Sequence, residues 1–285
     1  MGAEHEPRTS EARGVLPVEL RERWVEAPLL PLSLVAPVYD EALNLEPLYR
    51  KVAAALGANG AWELILVDDG SRDDSARVIR DLCARDPRVK GIFFARNCGQ
   101  TAAIAAGFQI AAGASIATID ADLQNDPADV PRMVEQLCSG GHDAVVGWRR
   151  NRCDGRLRRF SSWVGNGVRR RLCSDTIRDT GCSLKVFRRA PIRALPLFEG
   201  MHRFLPTLLR YHGFDVVEIP VDHHPRVAGA SKYGVRNRVG RAARDLLAVR
   251  WMRRRRLVLP ICDIVGRSRM TPEAEEGPEA EMGPA

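Results

Sequence analysis

In IATIDADLQNDPADVP, residues 116–131, an apolar run ends abruptly in Asp120 and Asp122, and Gln124, Asn125, Asp126 and Pro127 follow. Alternate residues of an extended chain face the same side. An extension carried past the strand end would therefore let Asp120, Asp122 and Gln124 converge. Three hard oxygen donors at one point suit Mg²⁺ or Mn²⁺, ions that keep several waters and also bind substrate phosphates. No His or Cys stands nearby, which disfavours zinc. The competing reading is a solvated acidic loop in which Asp126 caps a helix near Pro127. On these residues alone the two readings stand level.

A second acidic cluster, VDDGS at 67–71, has two uses as well. Asp and Gly favour turns, and Ser71 or Asp74 is placed to cap the next helix. Alternatively, Asp68 or Asp69 hydrogen-bonds a base or ribose. Taken alone, the turn is the simpler account. No Walker loop and no GxGxxG follows the first strand, which argues against kinase, ATPase and dehydrogenase chemistry. His223 and His224 are adjacent, so they point to different sides of an extended chain and make a poor metal pair.

Basic residues gather in two places. Residues 149–171 and residues 236–256 each hold nine Arg against one Asp. A solvated helix face accounts for either. In the second segment Val239, Ala243, Leu246, Leu247 and Trp251 add an apolar stripe, a pattern suited to a helix lying on an anionic membrane surface. No aromatic-interleaved RNA motif is visible, so no nucleic-acid partner is expected.

These clusters need elements to position them. The 285 residues are 45% hydrophobic and 28% charged, with net charge +7, enough apolar content for a core and too much charge for a membrane-embedded chain. The seven cysteines are scattered without a CxxC and read as reduced thiols in a cytosolic protein. Residues 1–14 are polar and carry no signal-peptide pattern. TAAIAAGFQIAAGASIATI, residues 101–119, is uncharged and nearly long enough to span a bilayer, but it is mostly small residues and is punctuated by Gly113. A buried helix followed by a buried strand fits it better.

Strands are expected at 32–39, 62–70, 89–96, 115–119, 143–149, 183–189 and 214–221. Helices are expected at 42–56, 75–85, 101–112, 131–140, 198–212 and 236–256, with helical spacing also in 150–175. The β-α-β-α alternation predicts an α/β fold with a doubly wound, mostly parallel sheet flanked by helices. Ligands in such sheets sit at the carboxyl ends of the strands. PVYDE (37–41), VDDGS (67–71), DADLQ (120–124) and GWRR (147–150) all fall there. LVLPICDIVG (257–266) is too short to span a membrane, and the acidic tail 271–285 reads as disordered.

In order along the chain, PVYDEALNL, VDDGSRDDS, ARNCGQTAAIAAG, DADLQNDP and RVAGASKYG resemble the family 2 glycosyltransferases of the GT-A fold. The set is most similar to the dolichol-phosphate mannosyltransferase and polyprenyl-phosphate glycosyltransferase branch, over roughly residues 31–240. The resemblance implies that Pro37, Tyr39, Glu41, Asp68 and Asp69 lie around the nucleotide base and ribose. It implies that Asp120, Asp122 and Gln124 hold the metal and donor diphosphate. Arg226 and Lys232 would close on the donor phosphates from HHPRVAGASKYG. Arg149, Arg158 and Ser162 would meet an acceptor phosphate, and Gly181 and Cys182 in DTGCSLKVF match an acceptor-side stretch that could also be a plain turn. Asp40 departs from the pattern, standing where Asn is common, and GWRR replaces a small residue before the Arg.

The expected layout is an N-terminal extension (1–30), a GT-A domain (31–235), a basic amphipathic helix with a short apolar segment (236–266) and a disordered acidic tail (267–285). The expected activity is inverting transfer of a sugar from a nucleotide-sugar (GDP-mannose or a UDP-sugar) to polyprenyl or dolichyl phosphate. Mg²⁺ or Mn²⁺ would assist, at the cytoplasmic face of a membrane to which the protein binds peripherally. Breaking the sugar–nucleotide bond leaves a diphosphate with extra negative charge, which a divalent ion and cationic side chains stabilise. A lipid phosphate is already an anionic nucleophile and needs no general base. The alternatives are transfer to a saccharide or lipid hydroxyl, or a non-catalytic basic membrane- or RNA-binding relative. The sequence leaves the oligomeric state open.

Overall fold

A computed structural model describes residues 30–57, 60–150, 167, 172, 176–193, 195, 198–225 and 235–255. Arg158, Ser162, Arg226, Lys232, the 257–266 segment and both terminal extensions lie outside the described residues.

The strands are β1 (Leu30–Val38), β2 (Trp62–Asp68), β3 (Val89–Phe93), β4 (Gly113–Thr118), β5 (Ala144–Arg149), β6 (Lys185–Arg188) and β7 (Val216–Val221). The helices are α1 (Ala42–Leu56), α2 (Ser75–Arg85), α3 (Gln100–Ile110), α4 (Val130–Ser139), α5 (Arg189–Arg193), α6 (Leu205–Tyr211) and α7 (Val235–Arg254). The strands form one seven-stranded sheet in the order β3-β2-β1-β4-β6-β5-β7. β6 runs antiparallel to β4 and β5, and the other pairs are parallel.

Side-chain alternation assigns each strand residue to one of two cores. Leu32, Leu34, Ala36 and Val38 join Leu64 and Leu66 beneath Leu45 and Leu48 of α1, Leu82 of α2 and Met133 of α4. Val35, Ile65 and Val67 face the other way, onto α3, with Leu208 of α6 and Val249 of α7 in the same cluster. Both faces of the sheet are thus covered, and its strands are near-continuously apolar.

The Ala-rich segment is resolved as α3 and β4, the buried helix and strand expected of it. Eight of the eleven residues of α3 are buried, and small side chains let it come close to the sheet. A Cβ on Gly107 would lie 2.3 Å from Cγ1 of Val35. Among the described residues, no helix is long and apolar enough to cross a membrane. The helix expected at 198–212 is instead a 3₁₀ turn, Met201–Arg203, followed by α6. Pro206 stands in the first turn of α6, where its missing N–H costs no helical bond. Cys83, Cys98, Cys138 and Cys182 are free thiols.

A buried carboxylate pins the amino-terminal end of the sheet. Glu63 of β2, 1% exposed, accepts hydrogen bonds from Ser33 Oγ on β1 at 2.5 Å and from Ala112 N at 2.7 Å. Lys90 Nζ of β3 lies 2.5 Å from its other oxygen. Glu63→Ala would leave the Lys90 ammonium and the Ala112 amide without this partner. We expect it to destabilise the fold by about 3 kcal/mol, read as a lower urea midpoint at unchanged slope.

Candidate active site

The carboxyl ends of β1, β2, β4, β5 and β7 lie along one edge of the sheet, and β6 starts there because it runs the other way. The clusters singled out from the sequence therefore share one rim. Their loops are laced to one another by hydrogen bonds between residues far apart in the chain.

The first loop is held by the second. Asp40 N donates to Ser71 Oγ (2.9 Å), Glu41 N to Ser75 Oγ (3.0 Å) and Ala42 N to Asp73 Oδ2 (3.0 Å). Arg72 N returns a bond to Asp40 Oδ1 at 2.7 Å. Asp40 has φ 49°, a left-handed conformation that Asn and Asp tolerate better than other side chains. Asp in place of Asn therefore keeps this turn possible. Capping at α2 differs from expectation. Asp73 Oδ1 accepts from Ser75 N at 2.9 Å, Asp74 pairs with Arg77, and Ser71 serves the first loop instead. Of the proposed donor contacts, Pro37, Tyr39 and Glu41 are only partly buried, and Glu41 Oε2 accepts from Asn44 Nδ2 at 2.6 Å.

Asp68 and Asp69 are each 3% exposed. Asp68 Oδ1 accepts from Ser71 N at 3.1 Å, closing the turn. Both oxygens of Asp69 take backbone amides, Cys98 N at 2.6 Å and Gly99 N at 2.8 Å. Burial raises the Asp69 pKa, and those two amides oppose the rise. Asp69 thus anchors the 96–99 loop that leads into α3. Gly70 passes so close that a Cβ would lie 2.5 Å from the Arg96 carbonyl carbon. The turn reading of this motif is what its side chains carry out.

The DADLQ stretch leaves the ladder after Thr118 and turns at Ala121 and Asp122. The extension assumed from sequence does not continue. Leu123, 4% exposed, is buried at φ 61°, and Gln124 N donates to Asp122 Oδ1 at 3.2 Å. An inward Leu in the left-handed region is a strained backbone held by its surroundings, a feature that clusters at functional sites. Asp126 caps the following 3₁₀ turn, as expected, by accepting from Ala128 N at 3.0 Å. Its other oxygen lies 3.3 Å from His224 Nε2 and 3.8 Å from Lys51 Nζ.

Asp120 accepts from Gln100 Nε2 at 2.8 Å, and its backbone N–H meets Ser183 Oγ at 3.3 Å. Burial, and then the charge of Asp122, push the Asp120 carboxyl up to about 6. A buried carboxyl raised by the charge of a second carboxylate is one that a cation could relieve. Among the described residues no trio of His, Cys, Asp and Glu is arranged for a metal ion. Asp120, Asp122 and Gln124 could supply hard oxygens of the kind that suit Mg²⁺ or Mn²⁺.

Opposite Asp120 lies the 176–185 stretch. Arg149 at the end of β5 forks onto Asp179, Nε to Oδ2 at 2.7 Å and Nη2 to Oδ1 at 2.9 Å, with side chains 13% and 10% exposed. Glu218 of β7 accepts from Arg178 N at 2.8 Å and Asp179 N at 3.4 Å, holding the turn in place. Ser183 Oγ donates to Asn125 Oδ1 at 2.8 Å. Lys185, 4% exposed, donates to the Cys182 carbonyl. The charges of Lys185 and Arg149 both act on Asp120.

Asp120, Asp122, Gln124 and Arg149 therefore share the rim with the loop of Asp68 and Asp69. Gln100, Asp179, Ser183 and Lys185 belong to the same cluster and were not proposed from sequence. One signal was available: Lys185 interrupts the apolar run Leu184, Val186, Phe187, and a charge inside a buried strand has to answer another charge.

Residues 33–195 match the profile of Glycosyl transferase family 2. The chain belongs to that family. This family 2 glycosyltransferase is 43% identical over 230 residues to the dodecaprenyl-phosphate galacturonate synthase of Rhizobium johnstonii, covering 79% of this chain and 68% of that one. It is 41% identical over 208 residues to the undecaprenyl-phosphate 4-deoxy-4-formamido-L-arabinose transferase of Shewanella sediminis, covering 72% of this chain and 62% of that one. The chain thus spans about two thirds of the length of these curated relatives.

In solved structures its fold is similar to the glucosyl-3-phosphoglycerate synthase of Mycobacterium tuberculosis in complex with Mn²⁺, UDP and glucosyl-3-phosphoglycerate. That match has a TM-score of 0.58 and 17% identity and covers 88% and 86% of the two chains. A mannosyltransferase of Pyrobaculum calidifontis in complex with GDP-Man and Mn²⁺ matches with a TM-score of 0.58 at 18% identity, covering 85% and 72%. The GT-A architecture expected from the motifs is the one observed.

Removing the Asp69 carboxylate should loosen the family 2 glycosyltransferase locally. In Asp69→Ala, amide hydrogen exchange at Cys98 and Gly99 is expected to rise about tenfold or more, the equivalent of one lost hydrogen bond to a charged group. The β-strands should keep their protection. Unchanged exchange at 98–99 would contradict the anchoring role.

Proposed function

We propose that the protein transfers one sugar from a nucleotide-sugar to a polyprenyl phosphate, with inversion at the anomeric carbon. The observation that carries this reading is the meeting of Asp120 and Asp122 with Arg149 at one rim of the sheet, carboxylates on one side and a guanidinium on the other. The names of the curated relatives supply the class of acceptor.

Each group then has a task. Asp120 and Asp122, with Gln124, would hold Mg²⁺ or Mn²⁺. An ion held there would supply positive charge to offset what builds on the departing nucleoside diphosphate. The loop lacing at 39–42 and 68–75 shapes the side of the rim assigned to the base and ribose. Arg149, already oriented by Asp179, presents cationic N–H groups toward an acceptor phosphate, with Arg158 and Ser162 as its partners. A phosphate oxygen attacks the anomeric carbon as the bond to the diphosphate breaks. That oxygen carries its own negative charge, so no side chain has to take a proton. Arg226 and Lys232 complete the set as cations for the donor phosphates. The 222–225 segment that precedes them is tied to the acidic loop, His224 N donating to Gln124 O at 2.8 Å.

The acceptor lies in a bilayer, and α7 is the proposed contact with its surface. The apolar stripe read from the sequence divides in two. Val249 is fully buried, with Leu246 and Met252 packed against the same core, so this side of α7 belongs to the catalytic domain. Leu247 and Trp251, one turn apart, are each 61% exposed, with exposed Arg244 and Arg254 nearby on the helix. Exposed apolar groups flanked by arginines suit an anionic leaflet, where each cation contributes about 1 kcal/mol.

The activity is tested with purified protein, polyprenyl phosphate and a panel of nucleotide-sugars. Lipid-linked sugar should form, disappear in EDTA and return with Mg²⁺ or Mn²⁺. Asp122→Ala should slow transfer by about 10²-fold or more. Full activity in chelator, or equal transfer to a neutral polyprenol, would refute the reading.

Surface attachment is tested by sedimentation with anionic liposomes. Binding is expected at low ionic strength and release at roughly 0.5 M salt, where charges a few ångströms apart are screened. The double variant Leu247→Ser, Trp251→Ser should bind more weakly while its inner helix face keeps the fold. Retention through high salt would argue against a peripheral contact.

A further inference from the structure

Ser183 has no task in the transfer chemistry described above, yet it touches both ends of the acidic loop. Its Oγ accepts from Asp120 N at 3.3 Å and donates to Asn125 Oδ1 at 2.8 Å. A hydroxyl can do both at once, and the methyl group of an alanine can do neither. Each partner is itself fixed. Asn125, 4% exposed, donates from Nδ2 to Cys182 Sγ at 3.7 Å, and the Ser183 carbonyl accepts from Thr118 Oγ1 at the end of β4 at 2.6 Å. Between the two bonds of the hydroxyl lie Asp122, Gln124 and the left-handed Leu123. The cost of holding a non-glycine residue in that region and the net gain from two hydrogen bonds are of similar size. The two bonds therefore bear on whether the loop keeps this shape. The turn that contains Ser183 also contains Asp179, onto which Arg149 forks, and Cys182 N closes that turn onto the Asp179 carbonyl at 3.4 Å. One stretch, 179–183, thus holds the acidic loop at one end and the Arg149 guanidinium at the other.

We propose that Ser183 is a positioning residue whose hydroxyl staples the two ends of the 120–125 loop and so sets the carboxylates of Asp120 and Asp122 and the amide of Gln124 relative to one another. The inference rests on the metal reading given above. The hydroxyl carries no charge, so its loss acts through the spacing of the donor oxygens. Oxygens that must all reach one small divalent ion tolerate little displacement.

The test is Mn²⁺ binding to the full chain without nucleotide, followed by the paramagnetic signal of free Mn²⁺, beside steady-state transfer. Ser183→Ala should bind Mn²⁺ about tenfold more weakly, the scale expected when a group that orients metal ligands is lost. At saturating Mn²⁺ its kcat should fall by about tenfold or more, while the KM for polyprenyl phosphate stays within about twofold, because Arg149 keeps its own partner. Ser183→Thr, which keeps the hydroxyl, should behave as the wild type does. Asn125→Ala should resemble Ser183→Ala, and the double variant should bind Mn²⁺ no more weakly than the weaker single one, since both cut the same staple. A hydroxyl that merely supports the fold predicts a lower Tm with unchanged Mn²⁺ affinity in the folded protein. If Ser183→Ala does not fold, Asn125→Ala takes its place in the measurement. Failure of both to fold, unchanged Mn²⁺ affinity in whichever folds, or a Ser183→Thr as impaired as Ser183→Ala overturns the proposal. Wild-type protein that binds no Mn²⁺, or binds it equally well as Asp122→Ala, would remove the metal reading itself and this inference with it.

Discussion

Asp120 and Asp122 are two like charges confined to one sheltered turn, and the surrounding architecture can be understood as the means of keeping them there. Burial disfavours the charged form of Asp120, and the charge of Asp122 disfavours it further. Arg149 and Lys185 counter this from the opposite wall, and Gln100 and Ser183 supply hydrogen bonds. For the cation proposed there, and the phosphates that would accompany it, a site organised in this way is preorganised. It does not have to gather its charges when the substrate arrives.

Such a turn needs rigid support, and the sheet supplies it through coverage of both faces. Small residues in α3 let that helix approach β1 closely, so the first residues of α3 come to the rim and Gln100 reaches Asp120. Asp69 then fixes the loop before α3, and the 71–75 loop fixes the one after β1. Backbone amides, which cannot change rotamer, make many of these links. This gives the rim a stiffness that loops joined only through long side chains would lack.

The carboxyl-terminal helix shows how one amphipathic pattern can serve two surfaces. Residues at spacing three, Leu246, Val249 and Met252, pack inward, while Leu247 and Trp251 at spacing four remain exposed. The inner residues attach the helix to the same core that supports α3. A contact made by its outer face is thereby held at a set position relative to the rim.

Much of the fold was legible in the sequence because its signals are local. Strand and helix periods, the uncharged Ala-rich run and the turn residues after each strand placed the described elements of the sheet to within a few residues. The acidic stretches were also legible as a group, since the carboxyl ends of parallel strands fall on one rim of the sheet. The sequence could not say which neighbour each carboxylate would meet. Asp69 takes amides 29 and 30 residues away, Asp120 takes a side chain 20 residues before it, and Arg149 finds Asp179 30 residues later. Such pairings depend on strand order, on the reversal of β6 and on the left-handed turn at Leu123, and none of these has a local signature in residue types. The sequence by itself therefore determined the elements and the chemical kind of the site. Only the tertiary structure decided that Asp69 anchors a loop, that Arg149 meets Asp179 and that α7 buries one side, because those outcomes are set by long-range register and packing.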